Sequence, residues 1–89
     1  MITYRKRIIN KLGLHARAAS KFVSTSSAFS SQIEIGFNGR KVDGKSIMAV
    51  MMLAAGQGSE LELRCDGHDE EAAGLALCEL IDDRFGEEE

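Results

Sequence analysis

Apolar residues alternate with polar ones in three stretches of the chain and recur at helical spacing in three others. Ile2, Tyr4 and Ile8 stand against Thr3, Arg5 and Arg7, a loose alternation that predicts an edge-like strand. Asn10-Lys11-Leu12-Gly13-Leu14 interrupts it with a loop. From Ala16 to about Ser27 the spacing is helical, with Ala16, Ala19, Phe22, Val23 and Ser26 on one face. Serines from Ser24 to Ser31 weaken that helix and lead into a strand, where Ile33, Ile35 and Phe37 alternate with Gln32, Glu34 and Gly36. Asn38-Gly39 supplies the left-handed residues of a tight hairpin, so Arg40 to Asp43 should fold back antiparallel. Ile47 to Ala54 reads as a short helix with Ser46 as its N-cap. After a Gly56-Gln57-Gly58 break, Glu60 to Asp66 alternates again, with Leu61, Leu63 and Cys65 inward. Asp69 to about Phe85 closes the chain as a helix with Ala73, Leu77, Leu80, Ile81 and Arg84 or Phe85 on its apolar side. Three acids at its start suit the positive end of its dipole. The order βαββαβα, with one apolar face per strand and one stripe per long helix, predicts an α+β fold: helices on one side of an open antiparallel sheet.

Size and composition narrow the class further. Eighty-nine residues (9.7 kDa), 44% of them hydrophobic, suffice for one small domain over 1–89 and leave no room for a second. No run approaches the roughly 20 apolar residues of a membrane span. The opening stretch is strand-like and charged, so neither a membrane protein nor a secretory precursor is expected. Cys65 and Cys78 lack CxxC spacing and sit in apolar-patterned segments. They read as buried thiols of a reducing cytoplasm, with a structural disulfide less favoured and no metal-ligand spacing.

The net charge of −3 hides an asymmetry. Residues 1–68 hold ten Lys/Arg against five acids, whereas residues 69–89 hold one Arg against nine acids. The acidic end reads as a solvated helix face and a Glu87-Glu88-Glu89 tail. Arg5, Lys6, Arg7, Lys11 and Arg17 form the densest basic group. An RNA-binding module built on them would need aromatic platforms, and five aromatics with no stacking motif do not supply them. An acidic protein partner or a phosphate group fits better.

Two positions carry candidate chemistry. His15 lies at the N-terminal boundary of the first helix, after Gly13 and two residues before Arg17. The first N–H groups of a helix lack internal partners and carry partial positive charge, so an anion gains there both hydrogen bonds and dipole stabilisation. That field disfavours an imidazolium and favours a neutral, nucleophilic ring, while Arg17 offers a fork of donors to phosphate oxygens. A phosphorylated histidine fits this setting. The plainer alternative is that His15 merely caps the helix, and spacing leaves both open. His68 carries only a surface reading. Ser46 is explained by capping alone, although a phosphate would sit at the same helix end. The helix behind it, Ile47-Met48-Ala49-Val50-Met51-Met52-Leu53, is apolar all round. If Val50 and Leu53 face the sheet, Ile47, Met48 and Met51 form an adaptable exposed patch; full burial is the equal alternative.

Gly13-Leu14-His15-Ala16-Arg17-Ala18-Ala19 resembles the active-site motif of the HPr family, the histidine phosphocarriers of the bacterial sugar phosphotransferase system. Lys45-Ser46-Ile47-Met48-Ala49-Val50-Met51 is similar to the same family's regulatory-serine segment, and element order, hairpin and length agree. The resemblance covers nearly the whole chain, and two motifs in register make it specific. It implies an open-faced β-sandwich with a four-stranded antiparallel sheet and three helices on one face. It implies His15 as phosphoryl acceptor through Nδ1, Arg17 as phosphate-stabilising neighbour, Ser46 as regulatory phosphorylation site, and Ile47, Met48 and Met51 as partner contacts. The implied partners are enzyme I, charged from phosphoenolpyruvate, IIA components and an HPr serine kinase/phosphorylase. No cofactor, metal, nucleic acid or membrane insertion is implied; the carrier would be a cytoplasmic monomer, stoichiometric and not a turnover enzyme. Two positions depart from the family pattern. Ala18 stands where Pro is common, at little consequence near a helix start. Leu12 stands where a small polar residue often reaches the phosphate. A nitrogen-branch phosphocarrier with regulatory output is the alternative, and the Lys45-Ser46 segment favours the sugar branch.

Overall fold

The computed structural model describes residues 1–89. Strands β1 (Ile2–Arg7), β2 (Gln32–Phe37), β3 (Arg40–Asp43) and β4 (Glu60–Asp66) form one antiparallel sheet in the order β1-β4-β2-β3. Helices α1 (Ala16–Ser26), α2 (Ile47–Met52) and α3 (Glu70–Asp82) cover one face, and a 3₁₀ turn over Arg84–Gly86 follows α3. β1 is an edge strand, as its loose alternation predicts.

Register explains how alternation becomes a core. Leu63 lies opposite Tyr4 on one side and Ile35 on the other, and Ile35 lies opposite Val42. These four belong to one row across the sheet, and it faces the helices: Leu63 and Ile35 are fully buried, Tyr4 and Val42 partly. The opposite row is Arg5, Glu62, Gly36 and Lys41. On that open face Arg5 pairs with Glu60 and Glu62 (3.7 Å each), and Arg64 with Glu34 at 3.6 Å. Exposed pairs of this kind add little stability, but they keep the uncovered face polar.

The helices fill the other side. Ala18, Ala19, Phe22, Val23 and Ser26 of α1 are buried, together with Ala73, Leu77 and Ile81 of α3. Ala18, not Ala16, belongs to the buried stripe of α1; Ala16 at the first helical position is exposed. α3 begins and ends inside the expected span, with Asp69 as N-cap and Asp83 as C-cap. Its Gly74 lets the helix close on β1, since a Cβ there would stand 2.1 Å from Tyr4 Cε2. Cys65 is buried and Cys78 half-buried, both as free thiols. Burial pushes both thiols up from their ordinary range, as expected of sulfur removed from water. No helix is long and apolar enough to cross a membrane.

Candidate functional site

The loop between β1 and α1 is tied down before the helix begins. Asn10 is fully buried, and its Nδ2 donates to Gly13 O at 2.9 Å. Leu14 N donates to Ala55 O at 2.9 Å, stitching the loop to the segment that follows α2. Gly13 has φ +65 and packs so closely on Ala55 and Gly56 that a Cβ would stand 2.5 Å from Ala55 O. The left-handed turn and close backbone approach both require glycine. His15 follows as the N-cap residue of α1, extended at φ −74 and ψ 179.

His15 does not cap the helix with its side chain. Its Nε2 instead faces Glu87 Oε2 in a short hydrogen bond. The other carboxylate oxygen, Glu87 Oε1, accepts from Asn10 Nδ2 at 3.0 Å. Two acceptors, Gly13 O and Glu87 Oε1, therefore fix the Asn10 amide with its nitrogen toward both. The Glu87 side chain is only 13% exposed, against 29% for His15. Desolvation raises the Glu87 carboxyl, but hydrogen bonds from Asn10 and His15 and the charges of His15 and Arg17 outweigh it and hold the group below the usual range. The acidic tail is thus not simply a solvated end: Glu87 closes onto the site, and Glu89 pairs with Lys11 at 3.5 Å.

Arg17 is exposed and lines the same cleft as His15, Lys11, Leu12 and the tail from Gly86 to Glu89. The rest of the basic group disperses. Lys6 turns to the helix side and reaches Asp82 at 2.7 Å, Arg5 joins the ion pairs of the open face, and Arg7 donates to Gly58 O at 3.2 Å. Alternation along β1 sends neighbouring charges to opposite faces, so no single basic patch forms. His68 is exposed in the turn before α3. No cluster of His, Cys, Asp or Glu has the grouping needed to hold a metal ion.

Ser46 caps α2, its Oγ accepting from Ala49 N at 3.3 Å. The turn before it is held by Gly44 N donating to Ile33 O at 2.7 Å and by buried Ser26 Oγ donating to Gly44 O at 2.6 Å. Val50 and Leu53 are buried, whereas Ile47, Met48 and Met51 are exposed, Met48 to 72%. The exposed-patch alternative is the one adopted. Met52 and Leu12 are exposed as well, and the Leu14–Ala55 stitch sets the His15 loop beside the end of α2.

Asn10 and Glu87 were invisible in the sequence as site residues. Asn10 has the appearance of an ordinary loop asparagine, and Glu87 of one acid in a run of three.

Comparison with known proteins places this geometry in context. The family profile described as "PTS HPr component phosphorylation site" matches residues 3–83. A phosphocarrier protein HPr from Cupriavidus necator is 58% identical over 82 residues, 92% of each chain. The crystal structure of HPr-C-His from Thermoanaerobacter tengcongensis superposes with a TM-score of 0.96 at 48% identity, covering 100% of both chains. A crystal structure of an HPr dimer from that organism matches with a TM-score of 0.79 at 48% identity, covering 98% of this chain and 100% of the other.

Proposed function

We propose a function from one premise: this chain belongs to the HPr family, the phosphocarriers of the phosphotransferase system. In this reading His15 accepts a phosphoryl group on Nδ1 from enzyme I, itself charged from phosphoenolpyruvate, and hands it to IIA components that serve sugar uptake. The observation that carries the reading is the engagement of His15 Nε2 by Glu87. An imidazole whose Nε2 holds the proton keeps its lone pair on Nδ1, and a neutral lone pair is what an incoming phosphoryl group needs. Arg17 in the same cleft supplies donors to the transferred oxygens. The protein itself contributes positioning and electrostatics only, as a stoichiometric carrier with no turnover chemistry.

Ile47, Met48 and Met51 serve in this reading as the apolar rim on which partners dock. Ser46 at the edge of that rim is a regulatory phosphorylation site for a serine kinase/phosphorylase. The carrier acts in the cytoplasm as a monomer. The nitrogen-branch alternative keeps the same histidine, and the Lys45-Ser46 pair favours the sugar branch.

Incubation with enzyme I and phosphoenolpyruvate, followed by intact mass, tests the reading. Wild type should gain one acid-labile phosphoryl group, His15→Ala none, and His68→Ala one as in wild type. An acid-labile adduct on His15→Ala protein sinks the assignment.

A further inference from the structure

The segment that follows α3 is fastened at successive points. After α3 the backbone takes three consecutive positive φ values, at Arg84 (55), Phe85 (54) and Gly86 (77). Two of these residues are not glycine, and such conformations persist only where the surroundings enforce them. Here Phe85 is fully buried in the core, and Lys21 Nζ from α1 donates to its carbonyl at 2.7 Å. The turn reverses the chain toward the β1–α1 loop. Lys11 N then donates to Glu89 O at 2.6 Å, while Asn10 and His15 hold the two oxygens of Glu87.

We propose that Glu87 is the positioning residue of His15: its carboxylate accepts Nε2–H, holds the ring with Nδ1 outward, and faces the positive charge the ring acquires on phosphorylation. This role rests on the phosphocarrier reading. During acceptance the Nδ1 lone pair forms the N–P bond, the donor's bond to phosphorus breaks, and its electron pair stays with the donor. Nε2 keeps its proton throughout, so the phosphorylated ring is cationic. During donation the N–P electron pair returns to Nδ1 and the ring leaves neutral. A fixed anion on Nε2 therefore stabilises the charged state from which the group departs, without standing in the path of phosphorus. Carboxylates that orient a functional histidine through its other ring nitrogen act in the same way in metal and triad sites.

The test compares wild type with Glu87→Ala, the isosteric Glu87→Gln, and Glu79→Ala as a control that removes equal charge from the exposed side of α3, outside the cleft. Two quantities are read: the solvent-protected Nε2–H proton of His15 by nuclear magnetic resonance, and the single-turnover transfer rate at saturating phospho-enzyme I. Wild type and Glu79→Ala should show the protected proton and equal rates within about twofold. Glu87→Ala should lose the proton signal and slow by about tenfold. Glu87→Gln, which preserves the fold should alanine loosen the strap, should slow by a smaller factor. A protected Nε2–H that persists in Glu87→Ala overturns the proposal, as does transfer by both Glu87 variants at or above the wild-type rate. If wild type accepts no phosphoryl group, the carrier reading has failed, and the proton signal alone then decides whether Glu87 holds the ring.

Discussion

The carbonyl oxygen of Ala55 occupies the space that a side chain on Gly13 would need, 2.5 Å from its ideal Cβ position. The same oxygen accepts the Leu14 N–H one residue before His15. One backbone group thus both demands glycine and anchors the histidine.

Gly13→Ala should therefore lower stability by at least about 1–2 kcal/mol, from the positive φ alone, and should displace the His15 loop. Gly58→Ala is the control: its φ is +89 but no atom lies within 4 Å of the added Cβ. Urea denaturation should show the larger loss for Gly13→Ala, and only that variant should slow phosphoryl acceptance. Equal behaviour of the two would mean that the contact with Ala55 relaxes freely.

Asp69 governs part of the acid stability. Its carboxylate accepts hydrogen bonds from the Ser31 hydroxyl, from the Ser30 and Ser31 backbone N–H groups (2.9 Å each) and from the Ser30 hydroxyl. These bonds, the Ser31 hydroxyl foremost, push its pKa down to about 2 from 3.8. A depressed carboxylate stabilises the fold above its unfolded value and loses that contribution as pH falls through the folded one. Stability from Asp69 should thus decline between about pH 4 and pH 2, and Asp69→Asn should flatten that part of the curve. Glu70 and Glu87, also held below the usual range, leave a residual slope. An unchanged acid limb in Asp69→Asn would contradict the role of these bonds.

Met48 is 72% exposed, and a charge there leaves the core untouched. Met48→Asp should change stability by no more than about 0.5 kcal/mol while weakening enzyme I binding. Calorimetry for binding and thermal melting for stability separate the two effects. A melting point lowered by many degrees would place this side chain in the core.

Ser46→Asp should retain the fold, because aspartate caps a helix as well as serine does. The added charge stands beside Ile47 and Met48, so transfer from enzyme I should slow, mainly through a higher apparent KM. Ser46→Ala should lose at most about 1 kcal/mol of stability with the cap, without the kinetic effect. Equal transfer rates for wild type and Ser46→Asp would reduce Ser46 to a helix cap.

The sequence by itself determined the elements and their inward faces, because these depend on local spacing. Alternation at Leu61, Leu63 and Cys65 places β4 to the residue, Asn38-Gly39 marks the β2–β3 turn, and Ser46 announces α2. The His15 and Ser46 motifs were legible as a family resemblance, since the two short runs stand in register along a chain of matching length and element order. Periodicity misplaced the buried stripe at the start of α1, where Ala16, the first helical position, is exposed and Ala18 is buried instead. The tertiary structure decided what the local pattern does not encode. An all-apolar α2 could turn either way, and its packing against α1 and β3 chose Val50 and Leu53 for burial. His15 and Glu87 meet across 72 residues. That meeting depends on a strained turn held by Phe85 and Lys21, and its direction exists only once α1 and α3 are packed together. Charge counting saw a solvated acidic tail; long-range packing turned one of its carboxylates into the partner of the histidine.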